Sequence, residues 1–207
     1  MGKMVIIPMD KADKSQKIAS ILSTKTVGIA GAGGLGSNVA VSLARSGINH
    51  LVIVDFDCVE ESNLNRQYYF LSQIGKEKVK ALQDNIKQIN PHTSCSIINK
   101  KLTKGSMWKP FTHVDVVVEA LDSAETKTQF IEEIMHHLPN TPIVAASGVA
   151  GIGNSDRIVT KQIRNLHMVY DEHALSSDND VLLAPKVCLM ANWQANIVLE
   201  LLVGDII

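Results

Sequence analysis

Residues 27–36 read Val-Gly-Ile-Ala-Gly-Ala-Gly-Gly-Leu-Gly, a short apolar run that passes directly into spaced glycines. The apolar part predicts a buried strand over residues 27–30, and the sequence after the glycines predicts a helix over residues 37–46. A second apolar run follows at residues 51–54 and ends at Asp55. A strand, a helix and another strand at this spacing indicate a right-handed β-α-β unit, which builds parallel sheets.

The rest of the chain continues this alternation. Further strands are predicted over residues 94–98, 115–120 and 142–146, and further helices over residues 10–22, 75–88, 124–137 and 186–202. Residues 157–163 and 166–170 are joined too tightly for a crossover, so they are expected to pair antiparallel. We therefore predict a single domain over residues 1–207. Its fold is a Rossmann-like α/β fold with a mostly parallel sheet, helices on both faces and an antiparallel C-terminal extension.

Composition excludes several classes of protein. The net charge of −1 gives no overall basic field that would attract nucleic acid or an anionic membrane. No apolar run approaches the roughly 20 residues that a membrane span requires. The three cysteines, Cys58, Cys95 and Cys188, form no Cys-x-x-Cys pair, which argues against a disulfide framework and a four-cysteine zinc site. A cytoplasmic protein without zinc is expected, and it is not expected to bind membranes or nucleic acid.

The glycines of the first turn predict a nucleotide site. The motif is Gly31-Ala-Gly33-Gly34-Leu-Gly36, between a predicted strand and a predicted helix. Such glycines let the backbone approach a phosphate, which then lies at the N-terminus of the following helix. Asp55, at the end of the next strand, is placed to accept hydrogen bonds from ribose hydroxyls. The motif does not distinguish NAD from ATP.

The polar residues after the second strand favour a triphosphate. Asn63 and Arg66 follow Asp55 at the edge of the sheet where ligands of open α/β folds bind. Lys78 opens a predicted helix, and Asp122 follows another strand at the same edge. Two cations, an amide and a carboxylate suit ATP with its Mg²⁺ better than hydride transfer. The structural alternatives are an exposed helix lysine for Lys78 and a helix N-cap for Asp122.

These motifs resemble the ThiF/MoeB/HesA group of ubiquitin-activating-like enzymes. The resemblance covers roughly residues 24–204 of the chain. The motifs that carry it are Gly31-Ala-Gly-Gly-Leu-Gly36, Asp55-x-Asp57-x-Val59-x-x-Ser62-Asn63-Leu64-Asn65-Arg66-Gln67, Gly75-x-x-Lys78 and Glu119-Ala-Leu-Asp122. The resemblance implies an adenylyltransferase that uses ATP and Mg²⁺ and works as a homodimer on a carrier protein.

The resemblance also implies roles for individual residues. Asp55 would hold the ribose, and Asp122 would hold the Mg²⁺. Gln67 would support Arg66. The residues expected to contact the phosphates are Asn63, Arg66 and Lys78, and the wider nucleotide-binding set adds Gly31, Gly33, Gly34, Gly36 and Asp57. Arg66, Lys78 and Asp122 are the expected catalytic residues.

Two features of the chain depart from the family pattern. Many relatives bind zinc through two Cys-x-x-Cys pairs, and this chain has none. Some relatives use a cysteine in a crossover loop, but residues 172–184 contain no cysteine, and the N-terminal helix offers lysines where relatives have an arginine. The short zinc-free form resembles compact ThiF enzymes, which adenylate the sulfur-carrier protein ThiS in thiamine biosynthesis.

Three alternatives stay open at this point. An NAD-dependent oxidoreductase would explain the glycines and Asp55, but it would leave Asn63, Arg66, Lys78 and Asp122 without a role. A related enzyme would adenylate another acceptor, such as a molybdopterin carrier, a peptide or a tRNA. A catalytically silent scaffold would only dock carrier proteins, and the full set of phosphate-facing residues argues against it.

Overall fold

Seven strands form one sheet in the computed structural model, which describes residues 11–174 and 180–204. In chain order they are β1 (Thr26–Ala30), β2 (His50–Asp55), β3 (Ser94–Asn99), β4 (Val116–Glu119), β5 (Ile143–Ser147), β6 (Ile158–Ile163) and β7 (Leu166–Asp171). Their order across the sheet is β3-β2-β1-β4-β5-β7-β6. β6 pairs antiparallel with β7, and the other pairs of neighbouring strands are parallel.

Helices cover both faces of this sheet. They are α1 (Lys11–Leu22), α2 (Gly34–Arg45), α3 (Lys78–Ile89), α4 (Ala124–His137) and α5 (Ala184–Val203). Because side chains alternate along a strand, Val116 and Val118 of β4 join the core beneath α2, α3 and α5, whereas Val117 joins the core beneath α4. Within the described residues, no helix is both long and apolar enough to span a membrane.

The predicted fold class is confirmed, and the differences lie at the ends of elements. α2 begins at Gly34, three residues before its predicted start, because the glycine turn runs directly into the helix and Ser37 N already donates to Gly33 O. α3 begins at Lys78 rather than at residue 75, because Gly75 has a φ of +82° and donates its N–H to Val59 O. Asp10, the predicted start of the first helix, lies outside the described residues. The single domain over residues 1–207 stays a prediction.

The topology places three strand ends side by side. Ala30 at the end of β1 is in register with Val54 of β2 on one side and with Glu119 of β4 on the other. The chain leaves β1 and β4 towards opposite faces of the sheet, since α2 and α4 cover opposite faces. Such a switch point at the carboxyl edge is where open α/β sheets form a crevice for ligands.

Candidate active site

The β1–α2 turn is pressed against the end of β4. Gly31 has a φ of +98°, and a Cβ there would lie 2.5 Å from the carbonyl oxygen of Ala120. A Cβ on Gly36 would lie 1.9 Å from the carbonyl oxygen of Gly31. Both positions therefore require glycine, and the resulting close turn presents the N-terminus of α2, with its free N–H groups, at the sheet edge.

Asp55 joins this turn to the end of β2. Its Oδ2 accepts a hydrogen bond from Ala32 N at 2.6 Å, and its Oδ1 accepts one from Asp57 N at 2.8 Å. Each carboxylate oxygen has a second acceptor position. The side chain is held in place but only half-buried, so its remaining acceptor positions can receive hydrogen bonds from a ligand's hydroxyl groups.

Lys78 is a buried cation beside the glycine turn. It is 6% exposed, and its Nζ donates to Asp57 Oδ2 at 2.8 Å while its backbone N donates to Asp57 O. Its neighbours Lys76 and Lys80 are exposed. The interpretation of Lys78 as an ordinary exposed helix lysine is therefore excluded, and Asp57 is its ion-pair partner.

Tyr69 was missed by the sequence analysis, although it completes this group. Its hydroxyl donates to Ala32 O at 2.7 Å and lies 3.4 Å from Lys78 O, so it ties the glycine turn to the start of α3. Burial, with the charges of Asp55 and Asp57, raises the pKa of Tyr69 well above its ordinary value. The phenol stays protonated and acts as a fixed donor. A tyrosine in a Tyr-Tyr-Phe run carries no signal of this role.

Arg66 and Gln67 lie against the glycines. Arg66 Nη1 donates to Ser62 O at 3.0 Å and to Asn65 Oδ1 at 2.7 Å. A Cβ built on Gly34 would lie 3.7 Å from Arg66 Cγ, and one built on Gly33 would lie 3.9 Å from Gln67 Nε2. Gln67 is buried, and its Oε1 has no hydrogen-bond partner among the residues that the structure describes. The predicted support of Arg66 by Gln67 stays a prediction.

Asn63 shapes the turn that carries Arg66. Its side chain is buried, and its Oδ1 accepts a hydrogen bond from Glu60 N at 3.2 Å. Its Nδ2 has one long contact, 3.4 Å to Ser62 Oγ. The amide group therefore keeps donor capacity for a ligand, as its predicted role requires.

Asp122 lies at the same edge on an exposed turn. Its Oδ1 accepts a hydrogen bond from Ser123 N, and Ser123 is itself the N-cap of α4, so the alternative interpretation of Asp122 as the cap is wrong. Mg²⁺ is commonly held by one or two carboxylates together with phosphate oxygens. The Asp122 carboxylate fits that donor set.

A buried ion pair supports this turn. Glu119 is fully buried, and its Oε1 accepts hydrogen bonds from Leu121 N at 2.7 Å and from Lys127 Nζ at 2.9 Å. Burial raises the pKa of Glu119, although Lys127 counteracts the shift. The pair fixes the backbone immediately before Asp122. In the sequence, Glu119 stands out only as part of the Glu119-Ala-Leu-Asp122 motif.

The structure thus assembles most of the predicted residues. Asp55, Asp57 and Lys78 form one hydrogen-bonded group with the glycine turn, and Arg66 and Gln67 lie over it. Within the described part of the chain, Asp122 makes no hydrogen bond or ion pair with this group. Of the loop over residues 172–184, whose sequence contains no cysteine, the structure describes residues 172–174 and 180–184.

Cys188 offers no activated thiol in this arrangement. It is half-buried on α5, and its Sγ donates to Asn38 Oδ1 at 3.5 Å. Burial raises the pKa of the Cys188 thiol, which disfavours the nucleophilic thiolate form.

Comparison with known proteins gives a family match over nearly the whole chain. Residues 10–206 match the ThiF family. The chain is 29% identical to the molybdopterin-synthase adenylyltransferase of Haemophilus influenzae, over 81% of this chain and 70% of that protein. It is 32% identical to the sulfur carrier protein ThiS adenylyltransferase of Escherichia coli, over 64% of this chain and 52% of that protein.

A solved structure matches the fold. The E. coli tRNA N6-threonylcarbamoyladenosine dehydratase, crystallised with ATP, superposes with a TM-score of 0.80. The match covers 95% of this chain and 97% of that chain at 19% sequence identity.

Proposed function

Because this chain belongs to the ThiF family, we propose that it adenylates the C-terminal glycine carboxylate of a ubiquitin-like sulfur-carrier protein of the ThiS type. The family predicted from the sequence is confirmed, as is the predicted enzyme class, an adenylyltransferase. The family match also argues against the alternative of an NAD-dependent oxidoreductase. The acceptor, its place in thiamine biosynthesis and a cytoplasmic location are proposals.

One observation carries this proposal. Lys78 is buried at the glycine turn, and Arg66 lies against Gly34 of the same turn. Arg66, which has no carboxylate partner among the described residues, and Lys78, which is paired with Asp57, place two cations near the N-terminus of α2, where a triphosphate would bind. Hydride transfer by a dinucleotide has no need for so much phosphate neutralisation.

The proposed reaction needs no general base, because a C-terminal carboxylate is already ionised at pH 7. A carboxylate oxygen of the carrier attacks the α-phosphorus of ATP and forms a new oxygen–phosphorus bond. The bond from the α-phosphorus to the bridging oxygen breaks, and pyrophosphate leaves with the electron pair. Arg66 and Lys78 stabilise the charge on the leaving group, and Asp55 holds the ribose. Asp122 would hold Mg²⁺, which supplies further charge neutralisation at the phosphates.

The relatives support a protein acceptor. The H. influenzae and E. coli enzymes are named for molybdopterin synthase and for ThiS, respectively. The resemblance of the sequence motifs to ThiF enzymes is the basis for proposing the ThiS type within this group. The net charge of −1 argues against a tRNA acceptor, although the solved tRNA dehydratase shares the fold. A homodimer is part of the same proposal.

Substitution of Arg66 tests the assignment of the site. We expect Arg66→Ala to reduce carrier-dependent ATP–pyrophosphate exchange by about 10²-fold, as loss of a preorganised charge stabiliser does. Folding should be retained, because the hydrogen bonds of the Arg66 guanidinium reach only neighbouring residues within the described chain.

A matched control is Arg45→Ala. Arg45 is exposed on α2, and its Nη2 lies 3.4 Å from Tyr68 Oη. Exchange should stay at the level of the unsubstituted protein in this variant. Unchanged exchange in Arg66→Ala, with circular dichroism showing a folded protein, would contradict the assignment.

A further inference from the structure

Asn65 connects Arg66 to a segment from the other end of the chain. Its Oδ1 accepts a hydrogen bond from Arg66 Nη1 at 2.7 Å, and its Nδ2 donates to Leu182 O at 3.1 Å. One amide group therefore contacts the proposed catalytic arginine with one atom and the approach to α5 with the other. No role was predicted for Asn65 beyond its place in the motif.

The approach to α5, residues 180–183, is fixed from its other side as well. Val181 O accepts a hydrogen bond from Gly151 N at 2.9 Å. Just beyond it, Lys186 Nζ donates to Asp171 Oδ2 and to Ala150 O, both at 2.8 Å, and the ion pair is buried. Residues 180–183 therefore have a set position relative to the ends of β5 and β7. The two hydrogen bonds of Asn65, to Leu182 O and from Arg66, join Arg66 to these residues.

Arg66 depends on this connection for its orientation. Its guanidinium lies at the end of a long flexible side chain, so neighbouring groups must hold it in one orientation. Among the described residues it pairs with no carboxylate, and Ser62 O and Asn65 Oδ1 are its hydrogen-bond acceptors. Of these two acceptors, Asn65 is the one that also bonds to residues 180–183.

We propose that Asn65 is a positioning residue that holds the Arg66 guanidinium at a fixed position relative to residues 180–183. The guanidinium then takes its productive orientation only while that segment is in place. The proposal rests on the function proposed above for Arg66, and it adds a dependence of the phosphate site on the approach to α5.

Two substitutions separate the two hydrogen bonds of Asn65. Asn65→Ala removes both, whereas Asn65→Asp keeps an acceptor for Arg66 and removes the donor to Leu182 O. The readouts are kcat and KM for ATP in carrier-dependent ATP–pyrophosphate exchange, and deuterium exchange of the backbone amides in residues 180–187. The control is Asn192→Ala, an exposed asparagine of α5 that accepts a hydrogen bond from Ser42 Oγ.

We expect kcat to fall about tenfold in both Asn65 variants while KM for ATP changes less than about threefold, because misplacement of a charge acts mainly on the transition state. Deuterium exchange over residues 180–187 should be faster in both variants. The Asn192→Ala control should match the unsubstituted protein in both readouts.

Three results would overturn the proposal. One is unchanged kcat in either variant, and another is unchanged deuterium exchange over residues 180–187. The third is a rise in KM for ATP without a fall in kcat, which would indicate an electrostatic effect on binding. If the unsubstituted protein showed no ATP–pyrophosphate exchange, the proposed function would fail on its own. Deuterium exchange in Asn65→Ala would still decide whether Asn65 holds residues 180–183 in place.

Discussion

Gly33 and Gly36 stand three residues apart in one turn but have different surroundings. A Cβ on Gly36 would lie 1.9 Å from the carbonyl oxygen of Gly31, so the backbone must move to accept it. A Cβ on Gly33 would have, among the described residues, only Gln67 Nε2 within 4 Å, at 3.9 Å. Packing within the protein therefore demands glycine at Gly36, whereas the described residues leave room for a Cβ at Gly33.

Alanine should mainly lower stability at Gly36 and mainly weaken ATP binding at Gly33. We expect Gly36→Ala to lower the Tm by about 4 °C or more, because its Cβ collides with backbone. Gly33→Ala should change the Tm by less than about 2 °C and weaken ATP binding about tenfold or more. Thermal unfolding and titration calorimetry with ATP measure the two effects. Tight ATP binding by Gly33→Ala would contradict an approach of the phosphates to this turn.

At single positions, the sequence indicates residues whose side-chain chemistry suits a nucleotide ligand. Asn63, Arg66 and Lys78 were predicted because an amide and two cations follow a glycine turn. Tyr69 and Asn65 were not, because their roles come from contacts with Ala32 and Leu182 that only the folded chain brings close. A tyrosine or an asparagine in a polar stretch is common, and neither indicates such a contact.

A buried ion pair joins the end of β7 to the first turn of α5. Asp171 ends β7, Lys186 lies in the first turn of α5, and the side chain of Asp171 is fully buried. Burial by itself raises the pKa of the Asp171 carboxyl. The hydrogen bonds from Lys186 and from the backbone N of His173, together with the charges of both residues, outweigh burial and leave that pKa below its ordinary value. Folding therefore favours the ionised carboxylate.

The contribution of this pair should depend on pH in a defined direction. An aspartate with a lowered pKa in the folded state stabilises the protein above its unfolded pKa of about 3.9, and the effect is lost as the pH falls through the folded pKa. We expect Asp171→Asn to lower the free energy of unfolding by about 3 kcal/mol at pH 7. The difference from the unsubstituted protein should shrink below about pH 4.

Urea unfolding at pH 7, 5 and 3 measures this difference. The control is Asp84→Asn, since Asp84 pairs with Lys76 at an exposed site, where loss of the pair should cost less than about 1 kcal/mol. An Asp171→Asn effect of the same size at pH 3 and at pH 7 would show that the charge of Asp171 is not its cause.

At the level of elements, apolar runs predicted the strands well because a parallel sheet buries both faces of each strand. The starts of α2 and α3 were less predictable. A glycine can be the first residue of a helix, as Gly34 is in α2, or it can lie in a non-helical turn before the helix, as Gly75 does before α3. The hydrogen bonds that decide between these outcomes, such as Gly75 N to Val59 O, join separate parts of the chain.

At the scale of the whole molecule, the proposed site lies at the carboxyl edge of the sheet. The ends of β1, β2 and β4 lie together there, and the chain brings Asp55, Lys78 and Arg66 to that edge from separate segments. Residues 180–183 return to the same place from the C-terminal part of the chain. With the proposed function, a nucleotide bound at this edge would have its phosphates beside Arg66, and residues 180–183 would lie next to that arginine.

The most direct test is ATP–pyrophosphate exchange by the purified protein with Mg²⁺, with and without a ThiS-like carrier that ends in Gly-Gly. We expect exchange that requires the carrier and is lost when its terminal glycine carboxylate is removed, because that carboxylate is the proposed nucleophile. No exchange with an intact carrier, in a preparation shown to bind ATP, would contradict carrier adenylation as the function of this site.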